Sequence, residues 1–339
     1  MVGEFLKFSA KNLVIIGGFY VKWQEVVMKS MLFHRDFLRF TGGHLKLWEY
    51  FGHVRHSVEY VPNIYFSETT RWENNELWMS EKPFALNSWD CKEADAIFME
   101  GTDWLDVKWQ EFDASKPVIN LIQHVRHANP DNIRYTFLQN KAIRICVSPE
   151  VSECLSATQR VNGPVFTIPL GLDLSLLPQP LSGDQRDIPV LLDGMKNQPL
   201  AREVSAELEK LGIKHELHIK YQPRSVFLEK LNRSKIAVFL PMAEGEGFFM
   251  PALEAMSLGI LVVCPDSVGN RSFCLDGVTC LMPGYSVEQI VQATIQATTM
   301  TEMEANGIKS EGLKMVEKHG ILEERRAFLD ILDNLEQIW

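Results

Sequence analysis

Along this chain, short apolar runs alternate with longer amphipathic stretches. That is the pattern of strands buried on both faces and joined by crossover helices. The runs within residues 95–101, 117–123 and 144–148 predict three such strands, each ending in polar residues or at a helix start. A second series opens at 190–196, followed by a helix over 199–211 and strands at 215–220, 236–241 and 260–264. Helices are predicted at 286–300 and 301–318 and a final one over 322–339. Nearer the N-terminus, 13–19 reads as a first strand entering a glycine turn at Gly17 and Gly18, 26–40 as an amphipathic helix, and 53–66 as extended. Residues 67–90 show no clear period. Pro178, Pro180, Gly183 and Pro189 mark 174–189 as a linker. The layout is α/β with two domains, 1–178 and 187–318, and a terminal helix over 319–339.

Composition narrows the function. A chain of 339 residues exceeds most single cores, and 46% hydrophobic with 23% charged residues is ordinary for a water-borne globular protein. The net charge of −10 argues against nucleic acid as a partner. No apolar run reaches membrane-span length, and the start lacks the features of a signal peptide. Six cysteines show no Cys-x2-Cys spacing, so a reducing cytoplasm is the expected setting. The first 60 residues hold eight Lys/Arg against five Asp/Glu, a local +3. Phe33, Phe37 and Phe40 of the expected helix 26–40 either pack inward or touch a membrane. The glycine turn at 17–18 lacks Gly-x-Gly-x-x-Gly, so a dinucleotide-binding oxidoreductase is not supported.

The most informative stretch is 243–259. It follows the apolar run 236–241 and carries Gly245 and Gly247 in an acidic loop. Pro251 suits the first position of a helix, and Gly259 the left-handed residue ending it. Strand, glycine loop and helix start together offer free backbone N–H groups at a positive dipole end, where α/β proteins hold phosphate. Glu246 and Glu254 can face the same crevice, and paired carboxylates beside an anion site suit a ligand bearing hydroxyls as well as phosphates. A nucleotide sugar is such a ligand. The plainer reading is a pair of solvated acids that favour a helix start.

Glu246-Gly-Phe-Phe-Met-Pro-Ala-Leu-Glu254 resembles the Glu-x7-Glu motif of retaining glycosyltransferases of family 4. These have the GT-B fold, two Rossmann-like α/β domains facing across a cleft. The likeness runs through Ala255-Met-Ser-Leu-Gly259 to Val268-Gly-Asn-Arg-Ser-Phe-Cys-Leu-Asp-Gly277, so it is close over 235–283 and one of layout elsewhere. Arg144-Ile-Cys-Val-Ser148 and Val165-Phe-Thr-Ile-Pro-Leu-Gly-Leu-Asp173 are similar to its strands near the domain junction.

The resemblance implies roles. Glu254 would bond the donor ribose, Glu246 the hydroxyls of the moving sugar, and backbone amides of Gly247, Phe248 and Phe249 the sugar or diphosphate. His124, just past the strand 117–123, would lie near the anomeric carbon, with Arg126 and His127 meeting phosphate or acceptor. Gly17 and Gly18 would touch donor or acceptor, or else form a plain tight turn. The family usually has Gly-Arg after the first strand of the second domain; this chain has Gly194-Met195-Lys196, leaving Lys196, or Arg202, to neutralise the diphosphate. Tyr221 would meet the base. Trp72, Trp78 and Trp89 are either sugar-stacking surfaces or core. The last helix would cross back to the first domain.

The implied activity is sugar transfer with retention from a nucleotide diphosphate sugar to a glycan, lipid-linked or small-molecule acceptor, in surface polysaccharide or glycoconjugate assembly. No metal and no cofactor beyond that co-substrate is expected, since no Asp-x-Asp motif is placed for one. The setting would be cytoplasmic, with peripheral contact at the inner membrane face through the N-terminal domain. Two other classes remain open: a GT-B sugar-nucleotide epimerase, and a catalytically idle sugar-nucleotide-binding subunit.

Overall fold

The computed structural model describes residues 28–73 and 75–339, apart from the side chains at 107 and 108, and the backbone of two short strands, β1 (Ile15–Ile16) and β2 (Phe19–Tyr20). These two pair antiparallel with each other. Gly17 and Gly18 lie outside the described residues.

The first domain is built on a six-stranded parallel sheet in the order β4-β3-β5-β6-β7-β8. In chain order its elements are β3 (Lys29–Arg35), α1 (Gly42–Val54), β4 (Tyr60–Phe66), β5 (Ala96–Glu100), β6 (Val118–Ile122), α2 (Ile133–Thr136), β7 (Ile143–Cys146), α3 (Pro149–Ala157) and β8 (Val165–Thr167). β5, β6 and β7 are buried at every position, as expected for continuous apolar runs covered on both faces.

A four-stranded parallel sheet, β10-β9-β11-β12, forms the second domain. Its elements are β9 (Ile188–Asp193), α4 (Gln198–Lys210), β10 (Glu216–His218), α5 (Arg224–Asn232), β11 (Ser234–Phe239), α6 (Met250–Ser257), β12 (Leu261–Val263), α7 (Val287–Thr299) and α8 (Glu302–Glu317). One apolar cluster packs α6 against one side of the sheet and another packs α4 and α7 against the other.

The chain ends in α9 (Ile321–Leu332) and α10 (Leu335–Ile338). Phe328, Ile331, Leu332 and Leu335 enter the first domain's core. A buried charge cluster fastens the same helix. Lys46 Nζ of α1 donates to Glu324 at 2.6 and 2.8 Å and to the Gly171 carbonyl at 3.2 Å, and Glu324 accepts from the Gly171 amide at 2.5 Å.

The structure corrects three expectations. Residues 26–40 are not a helix: Lys29–Arg35 is β3, a strand flanked on both sides, and Phe33 and Phe37 are buried in the core. The aromatic face offered to a membrane therefore does not exist. Within 53–66, α1 persists to Val54 before β4 begins at Tyr60. Trp78 and Trp89 are 0% and 2% exposed and fill core, and the half-buried Trp72 packs edge-on against Phe66. No helix among the described residues is long and apolar enough to cross a membrane.

Candidate active site

A cavity of about 1030 Å³ separates the two sheets. It is lined by the C-terminal ends of strands from both: Arg35 ending β3, Glu100 ending β5, Gln123 and His124 just after β6, Asp193 ending β9 and His218 ending β10. Open parallel sheets place ligands there, because helix N-termini and unpaired strand-end amides converge at that edge.

The second-domain wall is the loop between β11 and α6. Pro251 stands in the first turn of α6, and Gly259 beyond its end has φ of +69°, where a side chain would be strained. Glu246 and Glu254 are 4% and 2% exposed, and both line the cavity. Each carries a cation. Lys196 Nζ lies 2.7 Å from Glu246 Oε2, and Arg224, opening α5, lies 2.6 Å from Glu254 Oε1. A plain pair of solvated helix-start acids would be neither buried nor paired, so that reading does not fit the geometry. The Phe249 amide bonds the Gly269 carbonyl at 2.9 Å, and the Glu246 amide that of Ser267 at 2.7 Å, whereas the amides of Gly247 and Phe248 have no acceptor among the described residues.

At Gly247 the two domains approach closely. A Cβ on it would stand 1.9 Å from the Gln123 carbonyl oxygen and 2.7 Å from His124 Cα, so only glycine fits. The Ser148 hydroxyl donates to the Gly247 carbonyl at 3.0 Å from the same side.

On the first-domain wall, His124 caps the turn Val125–Ala128. Its Nδ1 accepts from the Arg126 amide at 3.1 Å, which assigns the ring proton to Nε2. That Nε2 is buried without a hydrogen-bond partner. Burial, then the charges of Arg126, Lys196 and Arg134, hold the imidazole down at about 4, so it stays neutral near pH 7. His127 is buried beneath it and is depressed to about 3 by burial first.

The remaining candidates divide. Lys196 and Tyr221 line the cavity, and Arg202 does not: it is exposed on α4 away from it. Phe248 lines the cavity half-buried, and the Phe249 ring is 2% exposed beneath Lys196, whose Nζ lies 5.6 Å from the ring centroid.

Three features escaped the sequence reading. Thr41-Gly42-Gly43, where Thr41 caps α1, is the glycine turn on the cavity. Asp193 and His218 form a pair at 3.0 Å. Arg224 is the cation beside Glu254. A threonine cap before an apolar helix signalled the first, while the other two join residues 25 and 30 apart and have no local signature. Among the described residues no group of three His, Cys, Asp or Glu could hold a metal.

Two facing parallel-sheet domains with the cleft at their strand ends are the GT-B architecture. Residues 174–311 match the family model described as Glycosyl transferases group 1. Solved structures resemble the chain over nearly its full length. A sucrose-phosphate synthase from Thermosynechococcus elongatus has a TM-score of 0.67 at 13% identity, covering 91% of this chain and 99% of that one. Anabaena Alr3699/HepE in complex with UDP-glucose has a TM-score of 0.66 at 12%, covering 90% and 100%. A glycosyltransferase from Rickettsia africae ESF-5 has 0.63 at 13%, covering 90% and 97%. No curated protein matches the chain by sequence.

Proposed function

We propose that the chain is a retaining glycosyltransferase that moves a sugar from a nucleotide diphosphate sugar to an acceptor, without a metal. The observation carrying this reading is the buried pair Glu246 and Glu254, each beside a cation, around the free amides of Gly247 and Phe248. The group 1 domain match over 174–311 and the UDP-glucose held by the Anabaena structure support a nucleotide sugar.

In this reading the donor lies on the second domain, with its base toward Tyr221, its ribose on Glu254 and its sugar hydroxyls on Glu246. His124 Nε2–H donates to the transferred sugar and stays neutral throughout. The bond from the anomeric carbon to the diphosphate oxygen breaks as an acceptor hydroxyl forms its bond from the same face. The hydroxyl proton passes to the departing phosphate oxygen, and Lys196 with the two free amides offsets the charge developing there. Contact between the domains at Gly247 limits water at the reacting centre, where hydrolysis competes with transfer. The product belongs to surface polysaccharide or glycoconjugate assembly in the cytoplasm.

A nucleotide-sugar screen tests the reading. A donor at 100 times its dissociation constant should add about 2.7 kcal/mol of stability. Transfer should then yield a product with the donor's anomeric configuration by NMR. Stabilisation by no nucleotide sugar would defeat the reading, and turnover to a free epimerised sugar nucleotide would replace it with the epimerase.

A further inference from the structure

Six Lys or Arg side chains line the cavity, and they fall into two groups of three. Arg35 pairs with Glu100, Lys196 with Glu246 and Arg224 with Glu254. Arg39, Arg126 and Arg134 have no carboxylate partner among the described residues. Arg134 reaches only the Asn132 side-chain oxygen, at 3.4 Å. All three arginines stand on the first-domain wall, Arg39 in the loop after β3, Arg126 in the turn after β6 and Arg134 in α2.

Arg126 and Arg134 are half-buried. The Arg134 guanidinium is held below its ordinary value by burial and next by the Arg126 charge. The nearby acids do not neutralise them: Glu244 borders the adjoining recess with Arg126 without pairing, and Asp36 at the rim is exposed and unpaired. The turn carrying Arg126 packs against α2, which carries Arg134, and both side chains line the cavity. Two partly desolvated guanidiniums on one wall are unfavourable alone and favour an anion beside them. The donor diphosphate has its own cation and amides on the opposite wall.

We propose that Arg126 and Arg134, with Arg39 at the rim, receive an anionic group carried by the acceptor beside His124. The acceptor class is then a phosphate- or carboxylate-bearing molecule, in place of a neutral sugar. The inference rests on the glycosyltransferase reading and deepens it. The same phosphate chemistry arises in a free sugar phosphate and in a lipid-linked one.

The test titrates the protein, saturated with UDP, against glucose 6-phosphate and against glucose. In a parallel arm it is sedimented with phosphatidylcholine vesicles containing phosphatidylglycerol. At least tenfold tighter binding of glucose 6-phosphate than glucose, lost in Arg126→Gln/Arg134→Gln and kept in Arg126→Lys/Arg134→Lys, supports a soluble anionic acceptor. Vesicle binding with the same variant pattern supports a lipid-linked one. UDP affinity should change less than twofold in both variants. A tenfold loss of UDP affinity in the glutamine variant would reassign the arginines to the donor and overturn the proposal. Equal binding of the neutral and phosphorylated sugars, with no vesicle binding, would also overturn it. UDP titration of the unmodified protein tests the underlying reading separately. If no nucleoside diphosphate binds while the phosphate preference persists, the anion receptor is not an acceptor site and the proposal fails on that point.

Discussion

Lys196 Nζ lies 2.7 Å from Glu246 Oε2, which joins the cation assigned to the leaving diphosphate to the carboxylate assigned to the moving sugar. Glu254, by contrast, is tied to Arg224 at 2.6 Å, one turn into α6. In the proposed reading the two glutamates serve different parts of the donor, so their amide variants should separate. Glu254→Gln should weaken donor and free nucleoside diphosphate alike, by about 1.5–3 kcal/mol for a lost charge-assisted hydrogen bond. Glu246→Gln should leave nucleoside diphosphate binding nearly intact and lower turnover, because contacts orienting the sugar are fully realised only as its bond breaks. Calorimetric titration beside transfer rates decides the matter. Equal losses of nucleotide affinity in both variants would refute the division.

Gly247 makes a steric prediction. A methyl group there meets the Gln123 carbonyl oxygen and His124 Cα, which are backbone atoms that cannot rotate away. Gly247→Ala should force the two strand ends apart. Misplacement of about 1 Å at a reacting centre can cost about 100-fold in rate. Gly52, inside α1, has nothing within 4 Å of its added Cβ, so Gly52→Ala should raise stability by about 0.4–1 kcal/mol and leave turnover unchanged. An active Gly247→Ala protein would show that the domains need not touch there.

Legibility followed locality. The second-domain site could be read because strand, glycines, proline and both glutamates sit within about twenty consecutive residues and each obeys a local rule. β3 could not, because its buried interior is only Ser30–Phe33 between Lys29 and Arg35, while Phe33, Phe37 and Phe40 fall at helical spacing. Two of those rings reach the core from a strand and the loop after it, so the spacing arose without a helix. Reading 26–40 as a helix also hid Thr41-Gly42-Gly43, the helix start that follows β3 and lines the cavity. The unpaired state of Arg126 and Arg134 is a tertiary fact with no sequence signature.

Acid should loosen the fold through its histidines. His124, at about 4, and His127 and His44, at about 3, sit below the unfolded value of about 6.5, chiefly through burial. With the folded values depressed, their contribution is present above pH 6.5. It fades as the pH falls from there toward 4, where the unfolded chain binds protons that the folded one does not. Urea midpoints should drop between pH 7.5 and 5, and less steeply in His124→Gln than in the unmodified protein. Ring NMR should find His124 neutral, protonated on Nε2, down to about pH 5. A ring titrating near 6.5 would contradict the assignment.

The buried pair Lys46 and Glu324 makes the last prediction. Both side chains are 0% exposed, and Glu324 also meets His53 Nε2 at 3.0 Å and the Gly171 amide at 2.5 Å. Taking two charges out of water costs nearly what their attraction returns, so the intact pair contributes little net stability. Removing one partner is different: losing Lys46 strands Glu324 and the buried Glu49, which also pairs with Lys46, whereas losing Glu324 leaves Lys46 its pair with Glu49. Lys46→Met should cost about 3–5 kcal/mol, and Glu324→Leu less. The double variant should lose less than the sum, since Glu324 is then no longer stranded and only Glu49 is left without its cation. α9 also carries Phe328 and Ile331 into the first domain's core, so the single variants should expose it to protease before the rest of the fold unfolds. Urea unfolding of the three variants, with limited proteolysis followed by mass spectrometry, measures both effects. Additive losses in the double variant would show that the two charges act independently. Cleavage elsewhere before α9 would show that this contact is not what fastens the C-terminal helix.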